Sequence, residues 1–419
     1  MKHLLYVVFF GILTQTVLAQ ELNVGIELRP RYEFRNGYKT LLDDTNDAAS
    51  FVSQRSRLNL DFKYDKLTLV VRAQDVRVWG DVATNQSNAH NGMALFEGYA
   101  KYHLDSLWSF KVGRQVLSYD NQRILGEVNW AQQGRSHDAF LVSFTSNKKH
   151  ALDIGLSVSS NAETLTKNAY AVNNYKSMQF LWYQYRFGTS KLSALFLNNG
   201  FEFENADLEL ETQYTQTFGA YYALKHNNWS GELSAYGQTG ERNQTDIAAW
   251  YGAAALNYSV NNTWQFGLGG EYLSGTATND TSGTNKSFNP LFGTNHKFNG
   301  FMDYFYVGNH ANNVGLIDVY ANFKFSKNKL TLSVAPHMFS SAETVYNGNE
   351  KMASYLGTEI DVVATYKLHK FISANLGYSQ LFGSDTMEIL KGGNAQRTQN
   401  WAWAMITVKP EVFSFKKDL

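Results

Sequence analysis

The stretch ELNVGIELRPRYEFR, residues 21–35, changes character at every residue. Leu22, Val24, Ile26, Leu28, Tyr32 and Phe34 hold even positions, while Asn23, Glu27, Arg29, Arg31, Glu33 and Arg35 hold odd ones. Successive side chains of a strand point to opposite faces, so this segment has one apolar face and one charged face. The pattern recurs at 56–64, where Leu58, Leu60, Phe62 and Tyr64 oppose Arg57, Asn59, Asp61 and Lys63. At 96–104, Glu97, Tyr99, Lys101 and His103 oppose Phe96, Ala100, Tyr102 and Leu104. Segments such as ALDIGLSVS, FGAYYALK, WQFGLGGEY, LIDVYANFKF and EIDVVATYKL continue it, giving eighteen candidate strands.

The connections alternate as well. Tight turns are expected at 65–66, 105–106, 147–149, 188–190, 226–228, 261–262, 326–328 and 369–370, all built from turn-forming residues. Between them lie nine longer connections, at roughly 36–50, 80–92, 118–137, 159–177, 199–212, 239–246, 273–314, 339–355 and 382–398. An even strand count with short periplasmic turns and long extracellular loops is the signature of a transmembrane β-barrel. Closure removes sheet edges and satisfies every backbone group in lipid. The expected fold is therefore all-β: one antiparallel up-and-down barrel of eighteen strands, apolar faces to lipid and polar faces to a wet lumen. A secreted sandwich or propeller tolerates the same faces but does not account for the alternating connections. A charge on the lipid face costs ~2–4 kcal/mol at the midplane, and the clear strands place almost none there.

Aromatic residues make up 15% of the chain and prolines number four, a mix that favours strands over helices. There is no cysteine, so no disulfide contributes. A formal net charge of zero gives no reason to expect a nucleic-acid partner. Residues 1–19 read as a signal peptide: Lys2 and His3 precede the apolar run Leu4–Leu13, and Val17 and Ala19 suit cleavage. Residues 20–419 then form a single outer-membrane domain.

Ten of the thirteen arginines precede residue 140. Parity puts Arg29, Arg31, Arg35, Arg55 and Arg57 in the lumen on the first two strands, with Arg72 following on the third. Arg77 joins them if the register shifts at Asp75; Trp108, Phe110 and Val112 set the parity of Arg114 toward lipid, so a bulge or a position above the membrane must accommodate it. With Lys101, Arg123 and Arg135 these residues outline a basic path suited to carboxylates, which a guanidinium binds with two parallel hydrogen bonds. A second reading stands beside it. Glu27, Glu33, Asp61, Asp75, Glu97 and Asp138 lie on or near the same wall, and Asp318, Glu359 and Asp361 on later lumen faces. These could pair with the cations and merely stiffen the barrel.

Trp182, Tyr221, Tyr236, Tyr251 and Tyr320 fall on lumen parity, either as sugar-stacking faces or as packing for an inward loop. The 273–314 connection is too long and too aromatic for a solvated loop. It is expected to fold into or over the pore as a gate, with Phe292, His296, Phe298 and Asp303 in place there. Ser136, His137 and Asp138 are consecutive and cannot converge as a triad on a strand, so no enzyme is expected. No cofactor or metal motif stands out. The acidic run at 41–47 is a candidate for surface calcium only, and its spacing matches no defined loop.

Residues 112–140, VGRQVLSYDNQRILGEVNWAQQGRSHDAF, carry Gly113, Arg114 and Gln115, then Arg123, Gly126, Trp130, Arg135 and Asp138. RAQDVRVWGD at 72–81, FNPLFGTNHKFNGFMDYF at 288–305, and the later GLIDVYANF and LGTEIDVVATYKL accompany them. On these residues the chain resembles the alginate export family of outer-membrane barrels over nearly its whole mature length. The resemblance implies passive passage of an anionic polysaccharide or oligosaccharide, most simply a uronate polymer leaving the cell, with periplasmic secretion partners. The less selective alternative is a porin taking up small solutes, and the distant one an outer-membrane hydrolase. No tetratricopeptide segment is identifiable, and PEVFSFKKDL lacks a terminal aromatic, which leaves open where the last strand, read near 400–409, ends.

Overall fold

The computed structural model describes residues 21–417, apart from 85–92 and 171–173. The expected signal peptide, 1–19, lies outside the described residues. The first six barrel strands are β1 (Glu21–Asn36), β2 (Ala49–Tyr64), β3 (Leu67–Val78), β4 (Ala94–His103), β5 (Trp108–Gln115) and β6 (His137–Ser146). Six more follow: β7 (His150–Val158), β8 (Ser177–Phe187), β9 (Ser190–Glu204), β10 (Leu210–His226), β11 (Trp229–Arg242) and β12 (Thr245–Ser259). The circuit finishes with β13 (Trp264–Leu273), β14 (Leu316–Lys327), β15 (Leu330–Ser340), β16 (Tyr355–His369), β17 (Ile372–Gly383) and β18 (Gln399–Val408, resuming at Glu411–Lys416). Each strand pairs antiparallel with the next, and β18 pairs back onto β1, so the eighteen-strand sheet closes.

The two faces separate as the alternation predicts. On β12, Trp250 is 53% exposed on the outside, while its neighbour Tyr251 is 1% exposed on the inside. Aromatic clusters such as Trp229 with Tyr258, Trp264 with Phe325, and Trp250 with Tyr272 ring the outer wall. This is where amphipathic rings meet the two membrane interfaces.

Three details differ from expectation. The closing strand does not end near 409. Pro410 interrupts it, having no N–H for the ladder, but its carbonyl accepts from the Ile26 N–H at 3.1 Å, and pairing with β1 continues to Lys416. The connections at 199–212 and 239–246 are not long loops: β9–β10 and β11–β12 run past the membrane as ribbons. The second of these closes on Asn243 and Gln244, both at positive φ (50° and 61°), as a two-residue hairpin turn requires. The remaining connections keep the short and long alternation.

The third difference concerns register. β2 and β3 pair without interruption from Ser53↔Val78 to Tyr64↔Leu67, so Asp75 and Arg77 keep outward parity. The irregularity sits one strand later, between β3 and β4 at Arg72 and Ala73. Arg77 and Asp75 pair with each other at 2.7 Å on the outer face near the extracellular end. Arg114 likewise stays outward, because β5 pairs in unbroken register with β4 and β6. It meets Asp138 directly across at 2.7 Å. These four residues leave the pore path, and Asp75 and Asp138 are not lumen acids. Outward charge is tolerated there because the cost falls to about 0–1 kcal/mol near the interface.

Candidate functional site

Two connections fold back into the barrel. One is the expected gate, 274–315, between β13 and β14. The other, 116–136 between β5 and β6, was expected only as an extracellular connection. Leu117, Ile124 and Leu125 from it, and Phe288, Met302, Tyr304 and Phe305 from the gate, are all buried against lumen-facing side chains. The barrel's hydrophobic core is therefore inside the pore, on the extracellular half.

The two loops clasp each other. The Gly126 N–H donates to Phe292 O at 2.9 Å, and the Thr294 N–H donates to Gln122 O at 2.9 Å. Arg135 donates to Gly293 O at 3.1 Å, and Lys297 to Asn121 O at 3.0 Å. The approach is close enough that a Cβ at Gly293 would lie 2.1 Å from Arg123 O, and one at Gly126 would lie 2.4 Å from Thr294 Oγ1. Gly293 faces backbone that cannot rotate away, so a larger residue there must part the loops.

The basic wall holds the 116–136 loop through its carbonyls. Arg29 donates to Asn129 O (2.8 Å), Trp130 O (3.3 Å), Ala131 O (3.2 Å) and the Gln132 side chain (3.0 Å). Arg31 donates to Trp130 O at 2.8 Å and pairs with Glu33, which also takes Arg35 and the Trp401 indole N–H. Arg55 pairs with Glu27 and reaches Asn129 Oδ1 at 3.0 Å. Arg57 donates to Gln74 and lies 3.7 Å from the Phe96 ring centroid. Further down, Arg72 pairs with Asp61 and Glu97.

The acidic wall holds the gate through its amides. Glu359 accepts from the Met302 N–H at 2.8 Å and Asp361 from the Phe301 N–H at 3.1 Å. Asp318 accepts from the Asn299 amide (3.3 Å) and lies 3.0 Å from His337 Nδ1. Asp318, Glu359 and Asp361 thus line the lumen as expected, but they serve loop amides rather than arginines. The division follows from donor chemistry: a guanidinium can only donate and a carboxylate can only accept.

Trp130 joins the two systems. The Arg31 guanidinium sits 4.0 Å from its ring centroid, and His296 stacks on it at 4.5 Å and 13°. His296 Nδ1 lies 2.9 Å from Asp303, which also accepts from the Tyr38 hydroxyl. Burial pushes the Asp303 carboxyl upward, but His296 and these hydrogen bonds hold it below its usual range. A depressed carboxylate stabilises the folded loop above its unfolded pKa and loses that contribution as pH falls through the folded value. Conductance should therefore rise only below about pH 3.9, the ordinary Asp value, and Asp303→Asn should abolish that acid step. A planar-bilayer pH series checks both; a step near neutrality would rule out Asp303 as its source.

The gate residues Phe292, His296, Phe298 and Asp303 are all in the lumen, with Phe298 4.5 Å from the Arg123 guanidinium. Of the aromatic candidates, Tyr236 and Tyr251 are buried under the loops. Tyr251 stacks on Phe288 at 5.1 Å, and the Trp182 indole N–H donates to Asp120 at 3.1 Å. These three pack loops, so they offer no open face to a sugar. Tyr221 donates to Glu232 at 2.8 Å, and Tyr320 lies against His337. Ser136, His137 and Asp138 fall as expected: His137 faces inward to Tyr175 while Asp138 faces outward. In the acidic run 41–47, Asp43 accepts from Thr45 and Asn46 of its own turn. Arg242 was not singled out from the sequence. It stacks on Phe201 at 4.1 Å and, with Arg135 and Phe292, lines an extracellular cavity of about 1120 Å³.

A closed barrel with an apolar belt, a charged lumen and inward-folded constriction loops is an outer-membrane channel of a Gram-negative bacterium. The sequence profile of the alginate export family matches residues 20–402, and the chain belongs to that family. Solved structures share its fold. OpdK of Pseudomonas aeruginosa has a TM-score of 0.62 at 13% identity, with 94% of this chain and 99% of that chain covered. OccAB4 of Acinetobacter baumannii has a TM-score of 0.62 at 15% identity, covering 96% and 100%. OccK11 (OpdR) of P. aeruginosa has a TM-score of 0.60 at 12% identity, covering 94% and 96%. No curated protein matches the chain.

Proposed function

We propose that the channel passes anionic saccharides of the polyuronate type, selected by the positive field of the β1–β3 wall. One observation carries this reading. Arg29 and Arg57 are buried yet form no ion pair among the described residues, their donors being met by carbonyls, amide oxygens and a ring. Neutral acceptors satisfy hydrogen bonds without cancelling charge. Beside the five arginines of β1 and β2 stand Glu27 and Glu33, while Glu21 and Asp61, nearer the short turns on the same strands, are taken by Lys63 and Arg72, so this wall remains net positive. Inside a low-dielectric wall that field is screened less than at a surface. Several equivalent cations favour entry without trapping a polyanion.

Reversal potentials under a salt gradient test the proposal. The parent should prefer anions and be blocked by oligouronates. Arg29→Gln/Arg57→Gln should weaken both effects while the barrel keeps its heat-resistant folded mobility on gels. Cation preference, or indifference to every acidic sugar, would overturn it. The tight packing of the two loops favours a second reading, a porin for small anionic solutes. It predicts block by monouronates but not by longer chains.

A further inference from the structure

A formal net charge of zero conceals an axial separation of charge. At the short-turn end, register places Lys101 (β4), Lys111 (β5), Lys191 (β9), Lys225 (β10), Lys324 (β14) and Lys367 (β16) on the lumen face. Each lies within a few residues of its turn, and together they spread around the circumference. None of the six is within ion-pair distance of a carboxylate among the described residues. The nearby lumen carboxylates Asp153 and Glu232 each accept from a tyrosine, Tyr119 and Tyr221 respectively. The opposite end is acidic: the β9–β10 and β11–β12 ribbons carry Glu204, Asp207, Glu209, Glu211, Glu241 and Asp246.

We propose that this lysine ring is a loading site for an anionic polysaccharide arriving from the periplasm, opposed by the acidic ribbons at the far mouth. The proposal rests on the anionic-saccharide reading above and adds the site and side of capture. Lysines suit this role, as compact charges on flexible stems that attract a chain without fixing its geometry. They line the mouth and face its axis, which favours a threaded chain over a protein seated on the rim. A static charge pattern cannot drive net transport. It raises the capture rate from one side, and continued polymer supply then sets the direction.

The test uses the full mature chain inserted in one orientation in a planar bilayer, its sidedness read by proteolysis of the extracellular ribbons. A defined oligouronate is added to one compartment at a time and the on-rate of block is measured. Electrostatic steering should make the on-rate from the short-turn side about tenfold higher at low salt, and molar salt should erase the difference. Lys225→Gln/Lys324→Gln/Lys367→Gln, all exposed positions, should lower the on-rate from that side alone. Equal on-rates from both sides, or rates unchanged in the triple variant, would overturn the loading site and leave the anionic channel standing. That outcome is also expected if the ring instead seats an acidic periplasmic protein. No block from either side would overturn both proposals.

Discussion

Replacing residues 275–314 by a two-residue turn should raise single-channel conductance several-fold. The splice is geometrically clean, because Leu273 and Leu316 already face each other as a paired position at the ends of β13 and β14. What it removes is the larger part of the intraluminal packing: Phe288 from Tyr251, Phe305 from Phe339, and His296 from Trp130. The 116–136 loop would lose its clasps at Gly126, Thr294 and Gly293 but keep its arginine contacts. Conductance should rise while anion preference persists, since Arg29, Arg31, Arg55 and Arg57 stay in place. Trp130→Ala is the milder version: it breaks the stack joining Arg31 to His296 and should yield frequent brief openings. Shortening the exposed tip at 205–209 is the control and should change nothing. If the splice leaves conductance unaltered, the 274–315 loop does not restrict the path.

Arg123→Met should be the most destabilising single substitution in the lumen. The Arg123 guanidinium pairs with Glu271 at 2.8 Å, the two side chains being 1% and 4% exposed. It also donates to Asn299 Oδ1 at 3.0 Å. Glu271 sits directly opposite Asp318, so removing Arg123 leaves two carboxylates side by side with no guanidinium between them and the loop. Breaking a buried pair by deleting one partner costs ~3–5 kcal/mol, because an uncompensated charge remains. Arg123→Met/Glu271→Gln should recover much of the loss, since both charges then disappear together. Heat-induced unfolding followed by gel mobility and by protease cleavage within 274–315 reads both variants. A single variant as stable as the parent would mean that water reaches Glu271.

The alternation in β1 places its apolar residues from Leu22 to Phe34 and its polar ones from Asn23 to Arg35 on their observed faces, because a period of two is a local property of an extended chain. Parity was also right at Arg114 and against a shift at Asp75. The error at Arg77 lay in inferring a register shift to bring a cation into the lumen, when strand ends beyond the hydrocarbon tolerate charge outside; Arg114 stands at such an end, one of the two accommodations open to it. The inward gate was visible in its aromatic content. The same signal existed in the other loop, in Leu117, Ile124, Leu125 and Trp130, and it marks that loop as buried for the same reason. Arg242 carried no sequence signal, because its partner Phe201 comes from another hairpin.

Strand count, closure and the assignment of faces belong to the sequence, since each rests on neighbours two residues apart and on turn chemistry confined to a few positions. Which lumen side chains meet water belongs to the tertiary structure. Arg29 finds its acceptors about a hundred residues away, at 129–132, and Glu359 finds its donor at Met302. Periodicity along a strand fixes where a side chain points. Only the return of distant loops into the barrel determines what it meets there, because that contact depends on packing between segments that share no local pattern.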